Sequence, residues 1–293
     1  MTNSKTPSIL ITGATGTIGS ELATQLAAQG VSFRALVRSL ENTQTLAALD
    51  GAELVVGDLS DADSLRRALD GIDRAFLLTN SSEQAENLQA TFVEMAQRAG
   101  VKHLVKLSQF AADLDSPVRF LRYHAAVEQK IRESGLAYTF LRPNLFMQGL
   151  FGFRDPIVKQ GKFFATAGDA KISLVDSRDI AAVAAEALTA PGHEGKNYDL
   201  TGPEAITHQQ MAAYLSEGLG KPVFYINVSD ADLRQALRSV GFPEWQADGL
   251  IEDYAHYARG EASAVSSAIQ DVTGKTPRDF RNFVRDYAAV FSE

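Results

Sequence analysis

The sequence predicts an α/β fold: a doubly wound parallel sheet carrying a smaller C-terminal α/β lobe. Three observations lead there. Short apolar runs alternate with helix-patterned segments between residues 8 and 141. A glycine-punctuated turn, Gly13-Ala14-Thr15-Gly16-Thr17-Ile18-Gly19, joins the first apolar run to the first helix. The regular alternation then loosens beyond Asn144. Strands that alternate with helices can pair in parallel only through crossovers, which places helices on both sheet faces and makes the fold Rossmann-type.

The elements follow in order. The apolar run at 8–12 is the first strand, and the helix at 20–29 ends at Gly30. Strands at 32–37 and 52–56 flank a helix at 43–49, and a helix at 61–69 closes in the turn Asp70-Gly71. The fourth strand spans 74–78. A long helix at 83–99 stops at Gly100, before a fifth strand at 101–107. A helix at 117–134 ends at Gly135 and leads into a sixth strand at 137–141, just before Arg142-Pro143. Glycine past a helical pattern is an ordinary stop signal, which supports these boundaries. Further on, helices are expected at 180–188, 209–219, 230–240 and 243–258, around strands at 172–175, 197–200 and 223–227. With no repeat, linker or low-complexity tract, the division falls near residue 150. Residues 1–150 are expected to bind a nucleotide, and 151–293 to form a substrate or partner lobe interleaved with late sheet elements.

Composition narrows the function. The 293 residues are 45% hydrophobic and 22% charged, with a net charge of −8. That balance is ordinary for a globular chain and argues against a nucleic-acid footprint, which needs a basic face. Without a single cysteine, disulfides, thiolate metal sites and thiol catalysis are excluded. No apolar run is long enough for a membrane span, and residues 1–7 are polar, so a cytoplasmic location is the expectation. His103, His193, His208 and His256 lack paired metal-ligand spacing, and no metal site is expected. No G-x-S-x-G turn points to hydrolysis.

The glycine turn points to a dinucleotide. Gly13 and Gly16 permit a tight turn and close backbone approach, the helix start just after Ile18 offers free N–H groups, Thr15 and Thr17 add hydroxyls, and Ile18 is expected to border the cofactor. An acidic residue closing the second strand would hold the ribose of NAD. Here Arg38 and Ser39 stand instead, which suits the 2′-phosphate of NADP, while Arg34 reads as a solvated side chain. After the third strand, Asp58 can accept from the adenine amino group with Leu59 against the ring, and it can also cap the next helix. Thr79-Asn80-Ser81, Ser108-Gln109-Phe110 and Pro143-Asn144-Leu145-Phe146 follow later strands and are expected beside the nicotinamide half. Phe110, Phe146, Phe151 and Phe153 can offer a flat apolar surface to an aromatic acceptor.

The glycine turn, Gly57-Asp58 and Ser134-Gly135-Leu136-Ala137-Tyr138-Thr139-Phe140-Leu141-Arg142-Pro143 together resemble the atypical short-chain dehydrogenase/reductases, and within them the NmrA-like branch. Val175-Asp176-Ser177-Arg178-Asp179-Ile180-Ala181 and Thr273-Gly274-Lys275-Thr276-Pro277-Arg278-Asp279-Phe280 extend the resemblance over nearly the whole chain. It implies binding of NADP(H), with NAD as a second option. It also implies one of two functions. The first is hydride transfer to a planar acceptor, as in the branch's quinone, azo-dye and triphenylmethane-dye reductases. The second is non-catalytic redox sensing through a protein partner.

Active short-chain enzymes commonly carry a Tyr and a Lys four residues apart on the helix after the fifth strand. Matching on Glu128 and Ser134-Gly135 places Phe120 and His124 at those positions, with Tyr123 three residues beyond Phe120. The catalytic expectation therefore falls on His124, with Tyr123 as the second candidate. His124 can also reach the nicotinamide ribose, and Glu128, one turn on, is expected to orient its ring. Phe120, Phe110 and Phe151 are the expected acceptor contacts. Asp176, Arg178 and Asp179 are expected to cap and brace a helix.

Overall fold

Seven strands pair side by side in one parallel sheet, and their chain order dictates where a ligand can enter. The computed structural model describes residues 7–292, so all of the polar leader but Pro7 lies outside the described residues. The first half runs β1 (Ile9–Ile11), α1 (Thr17–Ala28), β2 (Phe33–Val37), α2 (Gln44–Ala47), β3 (Ala52–Val56), α3 (Ala62–Ala68), β4 (Arg74–Leu77), α4 (Ala85–Ala99), β5 (His103–Leu107), α5 (Arg119–Ser134) and β6 (Ala137–Pro143). A 3₁₀ turn (Met147–Phe153) leads to α6 (Arg154–Gln160), β7 (Lys162–Ala165), β8 (Lys171–Ile172), α7 (Ser177–Thr189) and β9 (Lys196–Leu200). Then come β10 (Ile206–Thr207), α8 (His208–Leu219), β11 (Phe224–Asn227), α9 (Asp230–Ser239), α10 (Glu244–Ala258), α11 (Ala268–Thr273) and α12 (Phe280–Asp286).

The sheet order is β3-β2-β1-β4-β5-β6-β9. Chain direction across the sheet reverses between β1 and β4, so the loops leaving those strands diverge and open a crevice at their C-terminal ends. Burial on both faces explains the apolar strand sequences. One face packs Leu22 and Leu26 of α1, Ile180 and Val183 of α7, and Ile269 of α11. The other packs Leu65 of α3, Phe92 and Val93 of α4, and Val127 and Ile131 of α5. A separate core, with Phe163, Met211, Leu215, Phe280 and Phe283, fills the C-terminal lobe. Helix α7 and strand β9 return from beyond residue 150 to complete the sheet layer.

Several boundaries differ from expectation for local reasons. Helix α1 begins at Thr17 rather than residue 20, because Gly16 already serves as its N-cap. The strand expected at 172–175 is only β8 plus a single bridge from Val175 to Phe146. Strand β7 and helices α6, α11 and α12 have no counterpart in the sequence reading; all are short. Arg34 is buried, not solvated. Its Nε donates to Glu53 Oε1 at 2.9 Å and its Nη1 to the carbonyls of Ala68 and Asp70 at 2.8 and 2.9 Å. In a sheet covered on both faces, the position alternating with apolar residues does not reach water. Asp176 caps α7 by accepting from the Arg178 N–H, Arg178 grips it in return, and Arg278 holds Asp179, which matches the expected bracing.

Candidate active site

The crevice at the β1–β4 divide is a cavity of about 910 Å³ bordered by both lobes. At one end the backbone shapes it. Gly13 adopts φ +65°, where a Cβ would also press on Leu78 Cγ at 2.9 Å. A Cβ on Gly19 would lie 2.1 Å from the Gly13 carbonyl oxygen, so helix and turn approach this closely only without side chains. Gly16 differs: its Cβ would meet only the Gly13 oxygen, at 3.4 Å, and the position borders the cleft. No side chain caps α1 and its first turn holds no acid, which leaves free N–H groups and a positive dipole end. Thr12 Oγ1 accepts from the Leu78 N–H at 2.8 Å and fixes the turn against β4. A pyrophosphate fits this cradle.

Arg38 and Asp58, beyond β2 and β3, border the same cleft. Hydrogen bonds from Ser60 hold the Asp58 carboxyl below its usual range, with a smaller contribution from Arg38. Asp58 does not cap α3; Asp61 does. Ser39 lies off the cleft, its hydroxyl accepting from the Glu41 N–H at 2.9 Å. The exposed Arg38 guanidinium, on the same cleft as the uncapped helix start, suits a nucleotide with an added phosphate.

At the far end, α5 and β5 place two basic side chains together. Lys106, wholly buried on β5, has Nζ 2.7 Å from His124 Nδ1 and 3.0 Å from the Leu107 carbonyl. Burial, opposed by Glu128 and helped by Arg142, draws the ammonium pKa down to about 7. Burial and Lys106 together push His124 well below the ordinary imidazole range. The ring is therefore neutral at neutral pH and is not the group that titrates there. It borders the cleft. Glu128 does not orient it. That carboxylate accepts from Ser108 Oγ at 2.6 Å and from Arg142 at 2.9 and 2.5 Å, with Arg132 at 3.1 Å. Burial works to raise the Glu128 pKa, yet these partners keep it below its usual value.

The structure brings Gly13, Thr15, Gly16, Thr17, Ile18, Arg38, Asp58, Leu59, Thr79, Asn80, Ser108, Gln109, Phe110, Phe120, His124, Pro143, Asn144 and Phe146 to one cavity. Asn144 contributes little polarity, because its amide is spent on Ser173, the Ala262 carbonyl and the Leu145 N–H. Thr79 Oγ1 accepts from Gln89 Nε2 at 2.7 Å and keeps its own hydrogen to donate. Ser39, Tyr123 and Phe151 are not brought there. Tyr123 is buried behind the wall, its hydroxyl 2.9 Å from Ser81 Oγ and its pKa raised by burial. Phe151 packs on Phe283, Tyr287 and Phe291, and Phe153 on Phe163, inside the C-terminal lobe. Sequence reasoning missed Lys106 and the α10 face, where Gln246, Leu250, Asp253, His256 and Tyr257 close the cleft. A lysine inside the run His103-Leu104-Val105-Lys106-Leu107 was the available signal. Among the described residues there is no His/Cys/Asp/Glu cluster able to hold a metal, and no helix long and apolar enough to cross a membrane.

Comparison with known proteins adds a lineage. The model of the NmrA-like family matches residues 5–284. The chain belongs to the NmrA-like family. An NAD(P)H azoreductase of Xenophilus azovorans is 38% identical over 283 residues, covering 97% of this chain and 99% of that one. The structure of an NADPH-dependent quinone oxidoreductase from Escherichia coli, complexed with NADPH, superposes with a TM-score of 0.85 at 32% identity, over 95% of this chain and 99% of that one. The Citrobacter sp. triphenylmethane reductase complexed with NADP(H) gives 0.84 at 31% identity, with the same coverage.

Proposed function

We propose that this NmrA-like protein is an NADPH-dependent reductase of planar, quinone-like or dye-like acceptors. One observation carries the reading: the glycine cradle and Arg38 line the same cavity as Phe110, Phe120, Phe146, Leu250 and His124. Bound NADPH supplies the hydride. The chain's own groups bind and orient. The start of α1 receives the pyrophosphate, Arg38 the 2′-phosphate and Asp58 with Leu59 the adenine, while Ser108, Gln109 and Phe146 border the nicotinamide half. These aromatic side chains would lie against a flat acceptor beside the nicotinamide, where positioning would supply much of the rate. The names of the relatives, an azoreductase, a quinone oxidoreductase and a triphenylmethane reductase, support this acceptor class. The lobe formed by residues 151–293, apart from α7, β9 and α11, is read as the acceptor side, and the cytoplasm as the setting in which NADPH is available.

NADPH oxidation measured with 1,4-naphthoquinone, an azo dye and a cationic triphenylmethane dye tests the proposal. Saturable turnover with any of them is the expected result. Tight NADPH binding without turnover favours the sensor reading instead.

A further inference from the structure

The Lys106–His124 contact assigns a direction to the imidazole that burial alone would not. While Lys106 carries its proton, the ammonium has hydrogens to give and no lone pair, so at 2.7 Å His124 Nδ1 is the acceptor. The ring's hydrogen then sits on Nε2. Among the described residues no protein group bonds to Nε2, and the ring borders the cavity. The site thus presents a neutral N–H donor to whatever oxygen lies there, backed by a buried cation.

We propose that Lys106 is the proton reservoir of this site: it holds His124 in the Nε2–H form and replaces the hydrogen that the ring gives to the acceptor oxygen. The proposal rests on the reductase reading. After a quinone has taken up a hydride, one oxygen carries the negative charge. That oxygen takes the hydrogen from Nε2 while Nδ1 takes one from Lys106 Nζ, leaving a neutral ring protonated on Nδ1 and a neutral amine. Once product departs, cleft water protonates Nε2 and the Nδ1 hydrogen returns to Nζ. Each turnover consumes one proton from solvent and the pair is restored.

The surroundings suit that role. A lysine with a pKa drawn down to about 7 by burial holds a proton at neutral pH and releases it readily. Glu128, already satisfied by Ser108, Arg142 and Arg132, faces Lys106 as a fixed negative charge. The Tyr123 ring lies 4.2 Å from that of His124, but its hydroxyl is bound to Ser81. Arg142 also faces Lys106 and lowers its affinity for a proton, and Asp253 on α10 borders the same cavity, held by Gln109 and Tyr257. None of these supplies a hydrogen to Nδ1.

The test combines nitrogen-15 NMR of the histidine rings with the pH dependence of 1,4-naphthoquinone reduction by NADPH. In the unmodified protein His124, assigned by the signal lost in His124→Gln, is expected as the Nε2–H form below pH 7 without any nucleotide. The kcat is expected to fall as pH rises through about 7, since Lys106 is then a neutral amine. Lys106→Met should lower kcat at pH 6 by about a hundredfold, remove that limb, and leave the KM for NADPH within about twofold. Lys106→Arg should keep the ring form but not the rate, because a guanidinium donates to Nδ1 without releasing its proton. Absence of NADPH oxidation by the unmodified protein overturns the reductase reading and the reservoir together. Turnover accompanied by an Nδ1–H ring, by an unchanged pH limb in Lys106→Met, or by full rescue in Lys106→Arg overturns the reservoir alone. The ring form is read on the unmodified protein, so a variant that fails to fold does not shield the proposal.

Discussion

Gln109 donates its side-chain amide to both carboxylate oxygens of Asp253, at 3.0 and 2.9 Å, and so ties the loop after β5 to helix α10 across the cleft. Tyr257 reaches the same carboxylate at 3.2 Å. The Gln109 bonds join residues far apart in sequence, one on the loop after β5 and one on the helix that borders the cleft, and Tyr257 adds a bond within that helix.

Asp253 makes this clasp sensitive to pH. Burial pushes its pKa up to about 7, against the bonds from Gln109 and Tyr257 that favour the charged form. A carboxyl whose folded pKa exceeds its unfolded value binds a proton more tightly when folded. Its contribution to stability is therefore full below about pH 4 and is lost as pH rises toward 7. Asp253→Asn cannot ionise, so its melting temperature should change less between pH 5 and pH 8 than that of the unmodified protein. Parallel melting curves against pH would show that Asp253 is charged throughout.

The two glycines of the cradle should respond differently to valine. Gly16→Val places its side chain in the cleft with little to displace in the protein, so it should cost nucleotide affinity while the melting temperature stays close to unmodified. Gly13→Val combines a left-handed φ with pressure on Leu78 and should lose stability as well, by on the order of 1–3 kcal/mol. Calorimetric NADPH titration beside thermal melts separates the two. An unchanged affinity in a folded Gly16→Val protein would remove the pyrophosphate from this turn.

What was legible in the sequence was local. The Gly13–Gly19 turn and the alternation of strands and helices show themselves within short windows, and Arg38 lies only one position beyond β2. Side-chain choices among competing partners were not legible. Helical spacing brings Glu128 toward His124, but Arg142 and Ser108, arriving from β6 and the end of β5, offer the carboxylate stronger partners. Arg34 and Lys106 look like surface residues until helices cover both sheet faces. The α10 wall depends on a chain reversal more than a hundred residues after α5, which no local pattern encodes.

Cofactor preference should rest on Arg38. NADPH is expected to bind more tightly than NADH. Arg38→Ala should weaken NADPH by about ten- to a hundredfold, the range of one charge-assisted contact of about 1–3 kcal/mol, and leave NADH nearly unchanged. Raising the salt concentration should narrow the gap in the unmodified protein, because the guanidinium is solvent-exposed. A preference that survives Arg38→Ala would move the phosphate contact to another residue.

The acceptor wall can be probed through Gly249 and Phe120. A Cβ on Gly249 would lie 2.3 Å from Phe120 Cε1 and Cζ, so α10 approaches α5 this closely because Gly249 has no side chain. The Phe120 ring is itself confined by Trp245, 5.4 Å away between centroids, and Tyr123 at 6.4 Å, and it borders the cavity. Gly249→Ala should therefore force the ring or the helix to shift, at a cost of about 1–3 kcal/mol, and raise the KM for a quinone more than the KM for NADPH. Phe120→Ala, which empties the space, should cost about 3 kcal/mol or more in stability. Combined, the new methyl occupies room the ring has vacated, so the double variant should be more stable than the sum of the two losses allows. Urea unfolding of all four proteins measures that coupling. Simple additivity would mean that Gly249 and Phe120 do not share the space between the two helices.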